Sequence, residues 1–224
     1  MRSGLIAGTV CLLVAAGVVG CGPAGKSAGG STRLQGAGAS FPAPFYRRLV
    51  VAYQEQNPNV LIDYQSIGSG GGIKAITDQT VHFCASDAPM NKKELEAVGG
   101  EDAIIEFPSC AGGVVPVYNV PGLKGTIKFT GPLIADIYLG KVNRWNDAAI
   151  AKMNPDLQLP DLAITPVWRT DGSGTSFIFT NYLATQSEDF REQVGTGKAV
   201  QWPIGQGGKN NDGVTAVVEQ TAGG

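Results

Sequence analysis

The sequence predicts an α/β protein in which strands and helices alternate along the chain. Segments with the 3.6-residue periodicity of amphipathic helices are interleaved with short β-branched and aromatic segments, and 32 glycines and 13 prolines punctuate them. The 224 residues are 43% hydrophobic and 16% charged, which is typical of a folded globular chain with one large or two modest domains. Because the net charge is −2, a broad nucleic-acid-binding surface is not favoured, and any bound anion is expected at a local site.

The N-terminus is predicted to be an export signal. Residues 1–20 contain one arginine and then an apolar run from Leu5 to Val19, which is too short and wrongly flanked for a stable membrane span. The small residues that end at Cys21 are similar to the bacterial lipoprotein signal, in which the cysteine after the cleavage site carries lipid; a non-lipidated signal is the alternative. Residues 21–32 would then be the lipidated cysteine and a flexible linker that tethers an exported domain to a membrane.

Cysteine chemistry does not indicate a metal site. Cys11 lies in the predicted signal and Cys21 would carry lipid, so Cys84 and Cys110 remain. In an exported protein these two could form a disulfide, or they could be two buried free thiols, and the sequence leaves both alternatives open. His82 is the only histidine, and the chain has neither a CxxC motif nor a Cys/His cluster, so no metal is expected.

The individual elements follow from local patterns. The first predicted helix covers 41–58, with Phe45, Leu49, Ala52 and Tyr53 on one face and Asn57-Pro58 as its end. Strands are predicted at 60–68, 81–86 and 163–168, and less regular strand material at 104–120, where residues 108–113 are a candidate crossing point between lobes. Further helices are predicted at 71–79, 91–99, 131–140, 145–154, 178–184 and 212–220.

Three predicted helices begin in the same way. Ser40, Ser69 and the Ser173–Thr175 segment each place a hydroxyl beside glycine at or near a helix start. The first turn of a helix has unpaired N–H groups and a partial positive charge, so it is a ready anion site, although a single serine there is most often only a cap. Three such starts in one chain, with Arg169 beside one of them, favour a shared oxyanion.

Other uses of these loops meet counter-evidence. A nucleotide-binding P-loop needs GxxxxGK[ST] and a dinucleotide fold needs GxGxxG, and neither motif occurs in these three loops. A serine hydrolase would need a GxSxG elbow and a histidine base. His82 is the sole candidate base, and its strand-like surroundings favour a packed or surface histidine instead.

Several long motifs carry a specific resemblance. They are GAGASFPAPFY, YQSIGSGGGIKAI, ASDAPM, GGVVPVYNVPGLKG, DIYLGKVNRWNDAAIAKMNP, RTDGSGTSF and VGTGKAVQWPIGQGGKNNDGV. Together, in colinear order from about Leu34 to Gly224, they resemble the phosphate-binding proteins of bacterial high-affinity phosphate ABC importers. The chain departs from the family at His82 and Cys84, where relatives commonly have an acid and a glycine.

The resemblance implies a periplasmic-binding-protein-like fold of type II, with two α/β lobes that close around a central cleft. Residues 33–108 would form lobe 1 and residues 109–224 lobe 2. Family members continue through a further segment that finishes the second lobe and returns to the first. We therefore expect both lobes to be incomplete, with the C-terminal part missing.

The same resemblance implies the ligand set. The phosphate-binding residues would be Ser40, Phe41, Ser69, Asp87, Arg169, Asp171, Ser173, Gly174 and Thr175. Asp87 would accept a hydrogen bond from the proton that phosphate keeps near neutral pH and sulfate lacks, so it would reject sulfate. Asp171 would hold the Arg169 guanidinium in one orientation. Ordinary turn aspartates are the alternative for both acids.

The expected function is therefore non-enzymatic. The protein would bind inorganic phosphate, without a cofactor, and deliver it as a monomer to the membrane permease of an ABC importer. A phosphate-ester hydrolase with Ser69 or Ser173 as nucleophile is one alternative, and it suffers from the lack of a base and of paired metal carboxylates. A fragment that binds nothing is the other.

Overall fold

The computed structural model describes residues 30–224, and its first part is a parallel sheet. Strands β1 (Thr32–Gly38), β2 (Val60–Ser66) and β3 (Phe83–Ala85) pair in the order β2-β1-β3. Helix α1 (Ala43–Gln56) connects β1 to β2, and α2 (Ser69–Thr77) connects β2 to β3. Because β2 and β3 lie on opposite sides of β1, the sheet has a topological switch point, where open α/β sheets bind ligands.

The carboxyl ends of the three strands lie side by side. Gly38 pairs with Ser66 on one side and with Ala85 on the other. Helix α2 lies directly on this end of the sheet, since a Cβ atom at Gly72 would be only 2.5 Å from the Gly38 Cα. The loops that follow β1, β2 and β3 therefore open at one edge.

The segment after β3 contains little regular structure. Helix α3 (Lys92–Val98) begins with a capping box between Asn91 and Glu94, and a single 3-10 turn follows at Glu101–Ala103. Residues 104–120 form neither helix nor strand, so the predicted strand material there is wrong. A strand needs a neighbour to complete its hydrogen bonds. In residues 30–224 the named strands pair only with one another.

The second part of the chain is mainly helical around a two-stranded sheet. Its elements are α4 (Gly131–Tyr138), α5 (Ala148–Met153), β4 (Val167–Arg169), α6 (Gly174–Gln186), α7 (Glu188–Gln193), β5 (Gln206–Gly208) and α8 (Asn210–Gln220). Strands β4 and β5 are parallel, and Arg169 at the end of β4 pairs with Gly208. This pairing places the end of β4 beside the start of α8.

Two apolar clusters stabilise this second part. The larger one contains Val120, Ile127, Leu133, Ile137, Val142, Trp145 and Ile150. The smaller one is built from Ala135, Leu183, Ala184 and Phe190. Burial of such side chains contributes about 1.5–3 kcal/mol each relative to exposure. Helix α6 thus rests on a packed support, because Leu183 and Ala184 of this helix belong to the smaller cluster.

The first part buries much less apolar surface. Helix α1 has the predicted apolar stripe, but Phe45, Leu49 and Tyr53 are all exposed. In the irregular segment, Ile105 is 85% exposed and Phe107 77% exposed. Exposed apolar surface of this extent is typical of a face that another polypeptide segment covers.

Most of the remaining element predictions are confirmed. Each predicted helix is present, and the strands predicted at 60–68, 81–86 and 163–168 correspond to β2, β3 and β4, although β3 and β4 are only three residues long. The sequence did not predict β1, α7 or β5. The division into lobes at residue 108 stays a prediction.

Three further expectations concern the chain as a whole. The predicted signal (1–20), the lipidation of Cys21 and nearly all of the linker lie outside the described residues. Among residues 30–224, none of the helices combines the length and apolar character that crossing a membrane requires. Cys84 and Cys110 are free thiols, and Cys110 is exposed rather than buried.

Candidate functional site

Arg169 is the fixed positive charge at the centre of the site. It ends β4, and its side chain is 7% exposed. Its Nε donates to Asp171 Oδ1 at 2.8 Å and its Nη2 donates to Asp171 Oδ2, which makes a bidentate pair. Its Nη1 donates to Ser40 Oγ at 3.3 Å and to Asn211 Oδ1 at 2.6 Å. The guanidinium plane is thus held from several sides.

Asp171 is the partner that orients Arg169. Besides Arg169, its Oδ1 accepts from the backbone N–H of Asn210, at the start of α8, at 2.9 Å. Burial opposes ionisation, but the Arg169 hydrogen bond, the Asn210 N–H and the Arg169 charge outweigh it, so the pKa of Asp171 is lowered. Only glycine fits at position 68, because a Cβ atom there would be 2.2 Å from Asp171 Oδ2.

Asp87 is the second carboxylate, and it follows β3. Its Oδ2 accepts from Thr175 Oγ1 at 2.8 Å, and its backbone N–H donates to Ser69 Oγ at 3.3 Å. Burial raises the pKa of Asp87, against the opposing effects of the Thr175 hydrogen bond and the Arg169 charge. An acid in this state is a poorly solvated acceptor, which gains from any ligand that brings a proton.

The starts of α2 and α6 touch each other. The Gly70 N–H donates to the Gly172 carbonyl at 2.8 Å. At Gly174 the approach is closer still, since a Cβ atom there would be 2.7 Å from Ser69 Oγ and 2.8 Å from Asp87 Cβ. Two of the three helix starts that the sequence singled out are therefore in contact, and Arg169 links them to the third through Ser40.

Most of the predicted ligand residues contact one another. More exactly, the contacts form two neighbouring groups, Arg169 with Ser40 and Asp171, and Asp87 with Ser69, Gly174 and Thr175. Ser40 is not itself a cap, because the N-cap of α1 is Pro42. The ring of Phe41 lies against Gly112, where a Cβ atom would be 2.5 Å from the ring.

Ser173 has a structural task in the free protein. It is fully buried, its Oγ accepts from the Ser176 N–H at 3.1 Å, and it is the N-cap of α6. Its own N–H donates to the Lys198 carbonyl at 2.8 Å. As a cap the hydroxyl uses only its acceptor, and the binding role of Ser173 stays a prediction.

Sequence reasoning missed two contributors to the site. Asn210 and Asn211 at the start of α8 contact the Arg169–Asp171 pair. The signal was visible as NND before a helical pattern, but that pattern reads as an ordinary cap. Near the site, the Lys198 Nζ lies 2.7 and 2.8 Å from the Glu94 carboxylate oxygens, and this pair is largely shielded from solvent.

A large groove extends from the site over the less buried part of the molecule. Its volume is about 2280 Å³, and Asp87, Arg169 and Thr175 line one end of it. The rest is mostly apolar and includes Phe107 and Val115. The polar end is the part with the chemistry to hold a small anion.

The histidine at position 82 takes part in the hydrogen bonding of the first sheet. The His82 Nδ1 accepts from the Gln35 N–H at 3.0 Å, and His82 lies beside β1, as expected for a structural histidine. No group of three or more His, Cys, Asp or Glu side chains in this part of the chain has a metal-binding arrangement.

Comparison with known proteins adds the family context. The model of the PBP superfamily domain matches residues 25–224. The phosphate-binding protein PstS of Pasteurella multocida is 50% identical over 188 residues, which are 84% of this chain and 53% of the relative. PstS of Xylella fastidiosa strain 9a5c is 44% identical over 96% of this chain and 63% of the relative. The chain thus spans about half the length of the curated relatives it matches.

Two solved structures share the fold. One is a phosphate ABC transporter substrate-binding protein with bound phosphate from Clostridium perfringens, with a TM-score of 0.53 at 18% identity. The match covers 85% of this chain and 67% of the chain in that structure. The other is an ABC-type phosphate transport receptor from Vibrio cholerae, with a TM-score of 0.50 at 13% identity and coverage of 85% of this chain and 68% of that one. At these identities the likeness shows the fold alone.

Proposed function

The chain belongs to the PBP superfamily, and from that premise we propose that it binds inorganic phosphate outside the cytoplasmic membrane and delivers it to an ABC-type import permease. The names of the PstS relatives support phosphate as the ligand. The chain covers only part of those relatives, so ligand and partner are argued from the site itself.

One observation carries the proposal: hydrogen bonds connect Arg169 to Ser40 and Thr175 to Asp87, across 129 and 88 residues of sequence. The first bond brings Ser40, just before α1, to Arg169, and the second brings the start of α6 to Asp87, which also contacts Ser69 at the start of α2. Helix starts and arginine both favour an oxyanion.

Asp87 supplies the preference for phosphate over sulfate. A carboxylate has only acceptors, so it gains a hydrogen bond from a protonated anion and repels an unprotonated one. In a site where burial already raises its pKa, the mismatch with sulfate leaves an unpaired acceptor facing a negative charge. Sites built around such a bond discriminate on the order of 10⁴-fold.

The remaining features of the proposal concern the whole protein. Two lobes, meeting at the contacts between the starts of α2 and α6, would enclose the anion. Export and a lipid anchor on Cys21 would keep the receptor near its permease as a monomer.

Isothermal titration calorimetry of the full chain with phosphate and with sulfate tests the proposal. Wild type is expected to prefer phosphate strongly. Asp87→Asn keeps an acceptor for Thr175 but removes the charge, so the phosphate-to-sulfate affinity ratio is expected to fall on the order of 100-fold or more, mainly through a gain in sulfate binding.

Asp63→Asn is the matched control, since it makes the same charge change at an exposed position of β2. That variant is expected to keep the wild-type ratio. Equal affinity of the wild-type protein for phosphate and sulfate would refute the proposal. A wild-type ratio in Asp87→Asn would remove Asp87 from the selecting role.

A further inference from the structure

The hydrogen-bonding capacity of Arg169 is nearly exhausted by protein partners. A guanidinium has five N–H donors. Nε and one Nη2 hydrogen go to Asp171, and the two Nη1 hydrogens go to Asn211 and Ser40. Within residues 30–224, this leaves one Nη2 hydrogen for a ligand.

Asn211 makes the shorter of the two hydrogen bonds from Arg169 Nη1. Its Oδ1 lies 2.6 Å from Nη1, and its side chain lines the polar end of the groove. Its neighbour Asn210 donates a backbone N–H to Asp171. The start of α8 therefore holds both members of the Arg169–Asp171 pair, one through a side-chain acceptor and the other through a backbone donor.

We infer that Asn211 is a positioning residue of this site, which fixes the rotation of the Arg169 guanidinium and so determines the single N–H that Arg169 offers to the anion. The inference rests on the proposed function and extends it to a residue 42 positions beyond Arg169. Asn211 acts through Arg169 and need not touch the ligand.

An amide suits this position better than a carboxylate. Asp171 already offsets the charge of Arg169, and a second carboxylate on Nη1 would make the local charge negative and repel an anion. A neutral acceptor orients the guanidinium without that cost. Because Nη1 also donates to the Ser40 oxygen, the Ser40 hydroxyl proton is directed elsewhere and is free for the ligand.

Arginine side-chain NMR of the ligand-free chain tests the positioning directly. Hydrogen bonds slow rotation about the Cζ–Nη bonds, so wild type is expected to give resolved Nη signals for Arg169, identified by their loss in Arg169→Lys. Asn211→Leu keeps the approximate size but removes the acceptor, and we expect the resolved pair to merge. Asn211→Asp keeps an acceptor oxygen and is expected to keep the signals resolved.

Phosphate titration of the same variants tests the consequence. Asn211→Leu is expected to bind about tenfold more weakly, the usual scale for one lost hydrogen bond to a charged group. Asn211→Asp is expected to weaken binding despite its resolved signals, because of its added charge. Asn181→Asp adds the same charge at an exposed position of α6 and is expected to bind as wild type does.

The two possible failures are distinguishable. Resolved signals together with unchanged affinity in Asn211→Leu would overturn the positioning role while the proposed function stands. A wild-type chain that releases no heat with phosphate would overturn the proposed function. Should Asn211→Leu fail to fold, Asn211→Asp still decides, because merged signals in that variant contradict a held guanidinium.

Discussion

Gly174 is the position where a single methyl group should most directly separate the two sides of the site. It is the first residue of α6, and a Cβ atom there would meet Ser69 Oγ at 2.7 Å, Asp87 Cβ at 2.8 Å and the Asp87 nitrogen at 2.9 Å. Carbon contacts are optimal at about 3.5–4.0 Å, so Gly174→Ala requires a shift of roughly 1 Å. One of the atoms in the way is backbone, which cannot rotate aside.

Two opposing effects on the free energy of the folded protein determine the cost of Gly174→Ala. Overpacking of this kind costs about 1–3 kcal/mol. Replacing glycine by alanine also restricts the unfolded chain, which stabilises the fold by about 0.4–1 kcal/mol. The strain is larger, and if α6 moves away from Asp87 to relieve it, the Thr175–Asp87 hydrogen bond is lost as well. We therefore expect phosphate affinity to fall about tenfold to a hundredfold, since 1.4 kcal/mol is tenfold.

Calorimetry with phosphate and urea unfolding measure the two effects in Gly174→Ala. Gly113→Ala is the control, because a Cβ atom at Gly113 would meet only Val115 Cγ1, at 3.9 Å. The control should keep its affinity. Wild-type affinity in Gly174→Ala would refute the idea that these two helix starts approach each other in the binding-competent molecule.

Two other predictions concern stability, measured by urea unfolding. The pKa of Asp171 is lowered in the fold, so its ionised form stabilises the protein above the unfolded pKa of about 4. This contribution is lost as the pH falls through the lowered pKa of Asp171 in the folded protein. Asp171→Asn should therefore reduce the loss of stability on acidification. An unchanged dependence of unfolding free energy on pH would contradict this. Lys198→Met leaves the shielded Glu94 unpaired and should destabilise by about 1–3 kcal/mol. In contrast, Arg191→Met breaks an exposed pair with Glu188 and should cost less than about 0.5 kcal/mol. Equal losses of unfolding free energy in Lys198→Met and Arg191→Met would argue against a role for shielding from solvent.

The helices were the most predictable part of the fold, for a local reason. The stripe and the stop signal of α1 predicted a helix at 41–58, and the structure has it at Ala43–Gln56. Strand β1 was missed because TRLQGAG mixes charged, polar and glycine residues. Its strand conformation depends on β2 and β3, which pair with it from both sides. The segment 104–120 shows the reverse case, since strand-like composition without a neighbouring strand produces no strand.

The site was predictable where one residue type has one dominant use. Arginine beside glycine and serine at a helix start favours an anion, and Arg169 is indeed linked to Ser40 and Asp171. Asn211 was not predictable, because its contact depends on α8 reaching the end of β4, and asparagine near a helix start is usually a cap. Tertiary placement, which the local sequence does not encode, gave it a different partner.

The two acids of the site differ because their surroundings differ, and this difference accounts for both of them in the proposed anion site. Asp171 has two hydrogen bonds from Arg169 and one from the α8 start, so its ionised form is satisfied by the protein and has little left to offer a ligand. Asp87 has only Thr175 and partial help from Arg169 against its burial, so its carboxylate is left short of donors. A protonated anion supplies the missing donor, and an unprotonated one adds repulsion. In the proposed site, selectivity would therefore depend on Asp87, whose carboxylate lacks donors, and charge balance would depend on Asp171, whose carboxylate the protein satisfies.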